Sequence, residues 1–214
     1  RVIIKSSGEP TYRLPDIAYH RTKFVRGFDL IVDLFGADHI ATYPDVLAGI
    51  QALGYDQDKI KVLIHQFVTL HEGAEKIKMS PRRANFITLD ELMNEVGVDV
   101  TRWFFLMRSM DSHLNFDLGL AKTQSDENPV YYNQYAHARI CSILRNAREK
   151  GVAYKDAKTL SLLEHPTEQQ LIKKLLEFPG MVERCTREYT PHQLTQYLAD
   201  VSAAFHKFYT ECWV

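Results

Sequence analysis

The chain has little cysteine, and what it has is scattered. Cys141, Cys185 and Cys212 are three in 214 residues, an odd number with no C-x-x-C spacing, which excludes a disulfide framework and a clustered zinc site. Long apolar runs are missing too: no stretch of about 18 residues would span a bilayer. The opening "RVIIKSSGEP" has none of the layout of a signal peptide. Charge of one sign is not in excess either, since 26 Lys and Arg face 27 Asp and Glu for a net charge of −1. No chain-wide pull toward nucleic acid follows, so any RNA site has to be a local patch. Internal repeats and low-complexity tracts are absent. These absences leave an ordinary globular protein of the reducing cytoplasm, with 45% hydrophobic residues to build one large domain or two smaller ones. The first residue is Arg1 rather than methionine, and the chain is expected to be a piece of a longer protein.

Residues 1 to 75 read as alternating strands and helices. "RVIIK" is a short β-branched run. A Gly-Glu-Pro turn then leads to "DIAYHRTKFVRG", where Ile17, Tyr19, Phe24 and Val25 give a helical pattern. "FDLIVDLFG" is a continuous apolar run of the kind found in buried parallel strands. "TYPDVLAGIQALGY" has a proline near its first turn, Leu47, Ile50 and Leu53 at helical spacing, and Gly54 to end it. "KVLIHQFVTL" reads as the next strand. Strand, helix, strand in that order predicts a right-handed crossover and a parallel sheet, with ligands at the carboxyl ends of the strands.

After the basic stretch "KIKMSPRRANF" the strands are expected to stop. "TLDELMNEVG" opens with a capping-box pattern, Thr88 with Glu91, and "DVTRWFFLMRS" follows as a second short helix. From Asn128 onward the signal is helical. "NPVYYNQYAHARICSILRNAREKG" begins at Pro129 and ends at Gly151, with Tyr132, Ala136, Ile140, Ile143, Leu144 and Ala147 on its core side. A last helix carries Leu194, Tyr197, Leu198, Val201, Phe205, Phe208 and Cys212. A boundary is placed in the polar stretch "GLAKTQSDENP", giving an α/β domain over 1–120 and an all-α domain over 121–214.

The basic loop poses the functional question. Lys78, Ser80, Arg82 and Arg83 follow a strand, where a flexible lysine and the planar fork of arginine suit a polyphosphate whose charge moves during reaction. By itself the pattern is also that of an unremarkable solvated turn.

Taken with its surroundings, the loop resembles that of the arginyl-tRNA synthetases of bacterial type, within the class I aminoacyl-tRNA synthetases. "KMSPRRANF" is similar to the family's Lys-Met-Ser-Lys loop. The resemblance continues through "EVGVDVTRWFFLMRSMDSHLNFDLGLAK" and "ENPVYYNQYAHARICSIL", and upstream through "PTYRLPDIAYHRTKF" and "FGADHIATYP". It covers nearly the whole chain. The fold it implies is the second half of a Rossmann-type parallel-sheet catalytic domain followed by a helical anticodon-binding bundle. The activity it implies is ATP-dependent activation of arginine, with Mg2+ accompanying ATP, and transfer to tRNA(Arg) by a monomer with no membrane partner.

Carried over to this chain, the family's Tyr-x-x-x-Asp pair falls on Tyr12 and Asp16, which would hold the substrate arginine. A carboxylate answers a guanidinium by charge-assisted hydrogen bonds. Read from residue type alone, a Tyr12 buried at a strand end with Asp16 capping the next helix is the plainer reading. His39 in "GADH" is a pocket residue or a satisfied structural histidine. Gln66 would sit beside the adenine, and Lys78, Met79, Ser80 and Arg82 would close over ATP. On the helix from Asn128, Tyr131, Tyr135, Ala138, Ser142 and Arg145 share a face at about 100° per residue. Tyr131, Tyr135 and Arg145 would meet tRNA by stacking and charge; without the resemblance, packing on a neighbouring helix is the plainer reading of that face. No metal ligand set is expected.

Pro81 stands where the family commonly has a second lysine and Ala84 where it commonly has glycine. Proline removes an amide donor and a charge, which Arg83 would compensate. None of the nine histidines lies in a His-x-Gly-His setting, the family's other signature, so half an active site is expected here. Two other functions stay open: a non-catalytic RNA-binding module, and another class I synthetase such as the cysteinyl one.

Overall fold

A computed structural model of the chain describes residues 2–73, 75–77, 87–152 and 160–213. They fall into two compact units, residues 1–68 with 110–114, and residues 69–109 with 115–214.

In the first unit the leading β-branched run makes no strand; Ile4 forms one isolated bridge with Pro10. The helix α1 (Arg13–Val25) carries Pro15 within its first turn, where a missing N–H costs nothing. Its Ile17 is buried, while Tyr19 and Val25 are exposed. Strand β1 (Ile31–Gly36) and strand β2 (Ile60–His65) pair in parallel, in register from Ile31 with Ile60 to Gly36 with His65. Between them runs α2 (Tyr43–Ala52), started by Pro44 and followed by Gly54 at φ +83°. The core joins Ile17 of α1, Ile31, Val46, Ile50 and Ile60. Asp33, on the same face as Ile31, is also buried, whereas Val32 and Leu34 on the opposite face are 41% and 63% exposed. The expectation of a strand covered on both sides is therefore met on one side only: the helices of this unit pack on a single face.

"KVLIHQFVTL" is two strands, not one. After β2 the Gln66 N–H donates to the Met110 carbonyl at 2.7 Å, and the Phe67 carbonyl accepts from Leu114 N–H at 3.3 Å. The backbone thus leaves the parallel ladder at Gln66.

In the second unit, β3 (Val68–Glu72) forms a three-stranded sheet with β4 (Glu75–Lys76) on one side and β5 (Leu114–Asp117) on the other. β5 overturns the expectation that strands stop after the basic loop. "LNFD" has the period-two alternation of a half-buried strand, Leu114 and Phe116 inward and Asn115 outward. Helix α3 (Leu89–Val96) has the capping box read from its sequence: Thr88 Oγ1 accepts from Glu91 N–H, and the Glu91 carboxylate accepts from Thr88 N–H. Helix α4 (Val98–Leu106) buries Phe104 against Phe116, ring centroids 5.1 Å apart.

Asp117 caps α5 (Leu118–Lys122), and Asn128 caps α6 (Pro129–Glu149) while its amide donates to the carbonyls of Ala121 and Thr123. That buried asparagine (3% exposed) fixes how α6 leaves α5. Helices α7 (Pro166–Leu176) and α8 (Phe178–Glu188) then pack with α6 against α9 (His192–Glu211). Ser202 donates to Asn133 across α9 and α6, and Tyr197 donates to the Lys174 carbonyl at the end of α7. Among the described residues no helix is long and apolar enough to cross a membrane.

Candidate functional site

The first candidate site lies at the carboxyl ends of the two parallel strands, where such sheets bind ligands. Past Gly36 the chain turns through a 3-10 turn, Ala37–His39. There the His39 ring stacks on Phe35, centroids 5.3 Å apart, and its Nε2 stands 3.8 Å from Asp38 Oδ2. On the neighbouring strand Gln66 follows His65, half-buried. His39 and Gln66 thus leave the ends of adjacent strands.

Tyr12 is the N-cap residue of α1, 93% exposed. Asp16 is exposed one turn later, so the two side chains share a helical face. Neither the buried tyrosine nor the capping aspartate of the plainer reading is found: no side chain caps α1. Arg13 Nε donates to Asp45 Oδ2 at 2.6 Å, and Asp45 is nearly buried. That ion pair ties the first turn of α1 to the first turn of α2, which begins four residues after His39. An exposed carboxylate and phenol one helical turn apart can receive a cationic, hydrogen-bonding side chain.

One buried cluster beneath this site escaped the sequence reading. His20 Nδ1 lies 2.8 Å from the Asp16 carbonyl and its Nε2 2.7 Å from Asp33 Oδ2, while Lys23 donates to Asp33 Oδ1 at 2.5 Å. His20 therefore ties the backbone of Asp16 to β1. The available signal was Asp33 itself, a carboxylate inside the apolar run "LIVDLF", which has to be paired if buried.

Lys78, Met79, Ser80 and Arg82, with Pro81, Arg83 and Ala84, lie outside the described residues. What is described is the chain that leads to them. Ile77 N–H donates to the Leu70 carbonyl, beyond the β3–β4 hairpin. Lys122 binds Glu95 at 2.7 Å and approaches Glu72 at 3.6 Å; the Glu95 hydrogen bond, foremost, raises the lysine above its ordinary range.

The second candidate site is aromatic. Tyr131 and Tyr135, one turn apart on α6, have ring planes parallel to within 3° and centroids 6.4 Å apart. Tyr135 also stacks on His206 of α9 at 5.6 Å. The Arg139 guanidinium lies over both the Tyr135 and Tyr209 rings, 4.6 and 4.5 Å from their centroids, and donates to the Tyr135 hydroxyl. With Asp126, Tyr132 and Thr210 these residues line a cavity of about 540 Å3. Burial, then the Asp126 charge, pushes the Tyr132 phenol up. A second groove of about 630 Å3 shares Tyr135, Arg139 and Tyr209 and runs on to Asn146 and Lys150.

Of the three residues expected to meet RNA, Tyr131 and Tyr135 are together. Arg145 is exposed but lines neither cavity. The cation beside the tyrosines is Arg139, legible as an i, i+4 partner of Tyr135. His206 and Tyr209 come from a helix some 70 positions away, and no local spacing could have found them. Among the described residues no cluster of three His, Cys, Asp or Glu could hold a metal ion.

Residues 133–214 match the DALR anticodon binding domain. The chain is 57% identical over 211 residues to the arginine–tRNA ligase of Salinibacter ruber, covering 99% of this chain and 38% of that protein. It is 54% identical over 213 residues to the arginine–tRNA ligase of Desulfotalea psychrophila, covering 99% and 39%. Among solved structures, a Campylobacter jejuni protein described as an arginyl-tRNA synthetase is 32% identical with a TM-score of 0.88, over all of this chain and 46% of that one. The arginyl-tRNA synthetase of Thermus thermophilus superposes with a TM-score of 0.80 at 23% identity, over 98% and 42%, a likeness of fold alone. The chain spans less than two fifths of the length of these two ligases.

Proposed function

We propose, from a chain that belongs to the arginyl-tRNA synthetases over a part of their length that includes the DALR anticodon binding domain, that it serves the ATP-dependent attachment of arginine to tRNA(Arg). The observation that carries this reading is the 57% identity to an arginine–tRNA ligase across 211 residues.

Residues 1–120 supply part of the catalytic domain and residues 121–214 the anticodon-binding part. Asp16 and Tyr12 receive the guanidinium of the substrate arginine, and the Arg13–Asp45 and His20–Asp33 contacts hold α1 in place for them. His39 lines the pocket at the end of β1, and Gln66 meets the adenine at the end of β2. Lys78, Met79, Ser80 and Arg82 close over MgATP, which is a substrate.

An oxygen of the arginine carboxylate attacks the α-phosphorus, and the bond from that phosphorus to the bridging oxygen breaks. Its electron pair leaves with pyrophosphate. A hydroxyl of the terminal ribose of tRNA(Arg) then attacks the arginyl carbonyl, and AMP departs with the electrons of the mixed anhydride. Such chemistry asks the protein for alignment and for cations near the leaving phosphates rather than for a covalent partner. Arg83 supplies the charge lost at Pro81, so Arg83→Ala lowers activation more than Arg82→Ala. The protein acts in the cytoplasm as a monomer.

A second reading, a non-catalytic RNA-binding module, draws on the aromatic cavity of the second unit. ATP–pyrophosphate exchange separates the two. The complete coding frame is expected to exchange with arginine and not with lysine or cysteine when tRNA(Arg) is present, and the 214-residue chain alone to be silent. Exchange with cysteine, or silence from the complete protein, overturns the proposal.

A further inference from the structure

We propose that Asp45 keeps the chain's own arginine, Arg13, off the carboxylate of Asp16, and so leaves that carboxylate open to a guanidinium from solution. The inference rests on the reading of Asp16 as an acceptor for the substrate arginine. It adds a positioning residue, Asp45, that acts through Arg13 rather than on the substrate.

A carboxylate that has to receive a free guanidinium is at risk from any cation fixed beside it. Residues three and four apart on a helix are neighbours. For Asp16 of α1 those neighbours are Tyr12 and Arg13 on one side, Tyr19 and His20 on the other. Arg13 is always a cation, and a histidine can become one. Both are bound elsewhere. Arg13 Nε donates to Asp45 Oδ2 at 2.6 Å, and His20 Nε2 lies 2.7 Å from Asp33 Oδ2. Both acceptors come from outside α1, Asp45 from the first turn of α2 and Asp33 from β1. They are sheltered, their side chains 7% and 8% exposed. Asp16 is exposed, and among the described residues no cation pairs with it. A pair shielded from water attracts more strongly than one in full solvent, so Arg13 stays on Asp45. Without Asp45, the nearest carboxylate along the helix is Asp16. Arg13 would meet it with the same charge-assisted, two-pronged hydrogen bonding that a free arginine uses. The chain would then compete with its own substrate.

ATP–pyrophosphate exchange by the complete protein, with tRNA(Arg) present, reads this competition in the KM for arginine. Asp45→Asn removes the charge and keeps the shape. It is expected to raise that KM about threefold, the loss when an exposed pair leaves the site open about a third of the time. The kcat and the KM for ATP should hold, since saturating arginine outcompetes the tethered side chain. Adding Arg13→Gln to Asp45→Asn removes the competitor, and the arginine KM should return to that of Arg13→Gln alone. A contact that only fastened α1 to α2 would behave otherwise. Either single substitution would break it, and the double variant would be no better than Asp45→Asn.

An arginine KM unmoved by Asp45→Asn, or one that stays raised in the double variant, overturns the proposal and leaves the arginine site standing. Asp16→Asn tests the reading beneath it. If that variant keeps the wild-type arginine KM, Asp16 is not the acceptor, and the reading and this inference are overturned together.

Discussion

Gly49 of α2 faces Ile17 of α1 so closely that a Cβ at position 49 would stand 2.3 Å from Ile17 Cδ1 and 2.7 Å from its Cγ1. Ile17 is buried in the core that both helices share, so it has little room to retreat. Gly49→Ala is expected to destabilise the first unit by about 1–3 kcal/mol, the usual cost of overpacking. Ile17→Val in the same protein should return part of that loss. Urea unfolding of the two single variants and the double variant measures it; simple additivity would contradict the contact.

Asp33 is the acceptor for both His20 and Lys23, and none of the three is more than 14% exposed. Removing it leaves two donors facing a dry interior. Asp33→Ala should cost about 3–5 kcal/mol, as for a broken buried pair, while Asp38→Ala, on an exposed carboxylate, should cost under about 1 kcal/mol. Thermal denaturation compares them.

The Glu91 carboxylate is held below the usual range, first by the backbone N–H of Thr88 and then by its side chain. A folded pKa below the unfolded one contributes stability above the unfolded value, and that contribution is lost as pH falls through the folded one. Thr88→Ala removes the hydroxyl bond and should move Glu91 upward, toward an ordinary glutamate. A carboxyl-carbon NMR titration reads this directly; an unmoved Glu91 would mean that the backbone bond alone sets its value.

Asn128 uses one side chain for three bonds, from Val130 N–H and to the carbonyls of Ala121 and Thr123. Asn128→Ala strands buried backbone groups at the junction of α5 and α6 and should cost about 2 kcal/mol. Amide hydrogen exchange should quicken first at Val130 and its neighbours.

How far the sequence disclosed this structure depends on how local each signal is. Pro129, Gly151 and the Thr88–Glu91 pair act within a turn of their own positions, and the helices they bound lie where they were expected. The break at Gln66 was not legible, because its cause is a hydrogen bond to Met110, far along the chain. β5 was overlooked although Leu114 and Phe116 alternate with polar neighbours, since four residues are a short period-two signal. In the site, Tyr12 and Asp16 came from resemblance, and His20 beneath them was missed because helical spacing alone does not reveal a partner on a strand. Helical spacing puts Tyr131 and Tyr135 on one face, whereas it cannot reveal that His206 of another helix stacks on Tyr135 or that Arg139, not Arg145, lies over the Tyr135 ring.

Helix α6 is also a measuring rod. Fourteen residues separate Tyr131 from Arg145, which at 1.5 Å per residue is about 21 Å, or nearly four turns. One base cannot touch both. A strand that stacks on Tyr131 and still meets Arg145 has to travel along the helix axis. Under the tRNA-binding proposal the two residues report on different nucleotides, and their substitutions should combine additively where those of Tyr131 and Tyr135 do not.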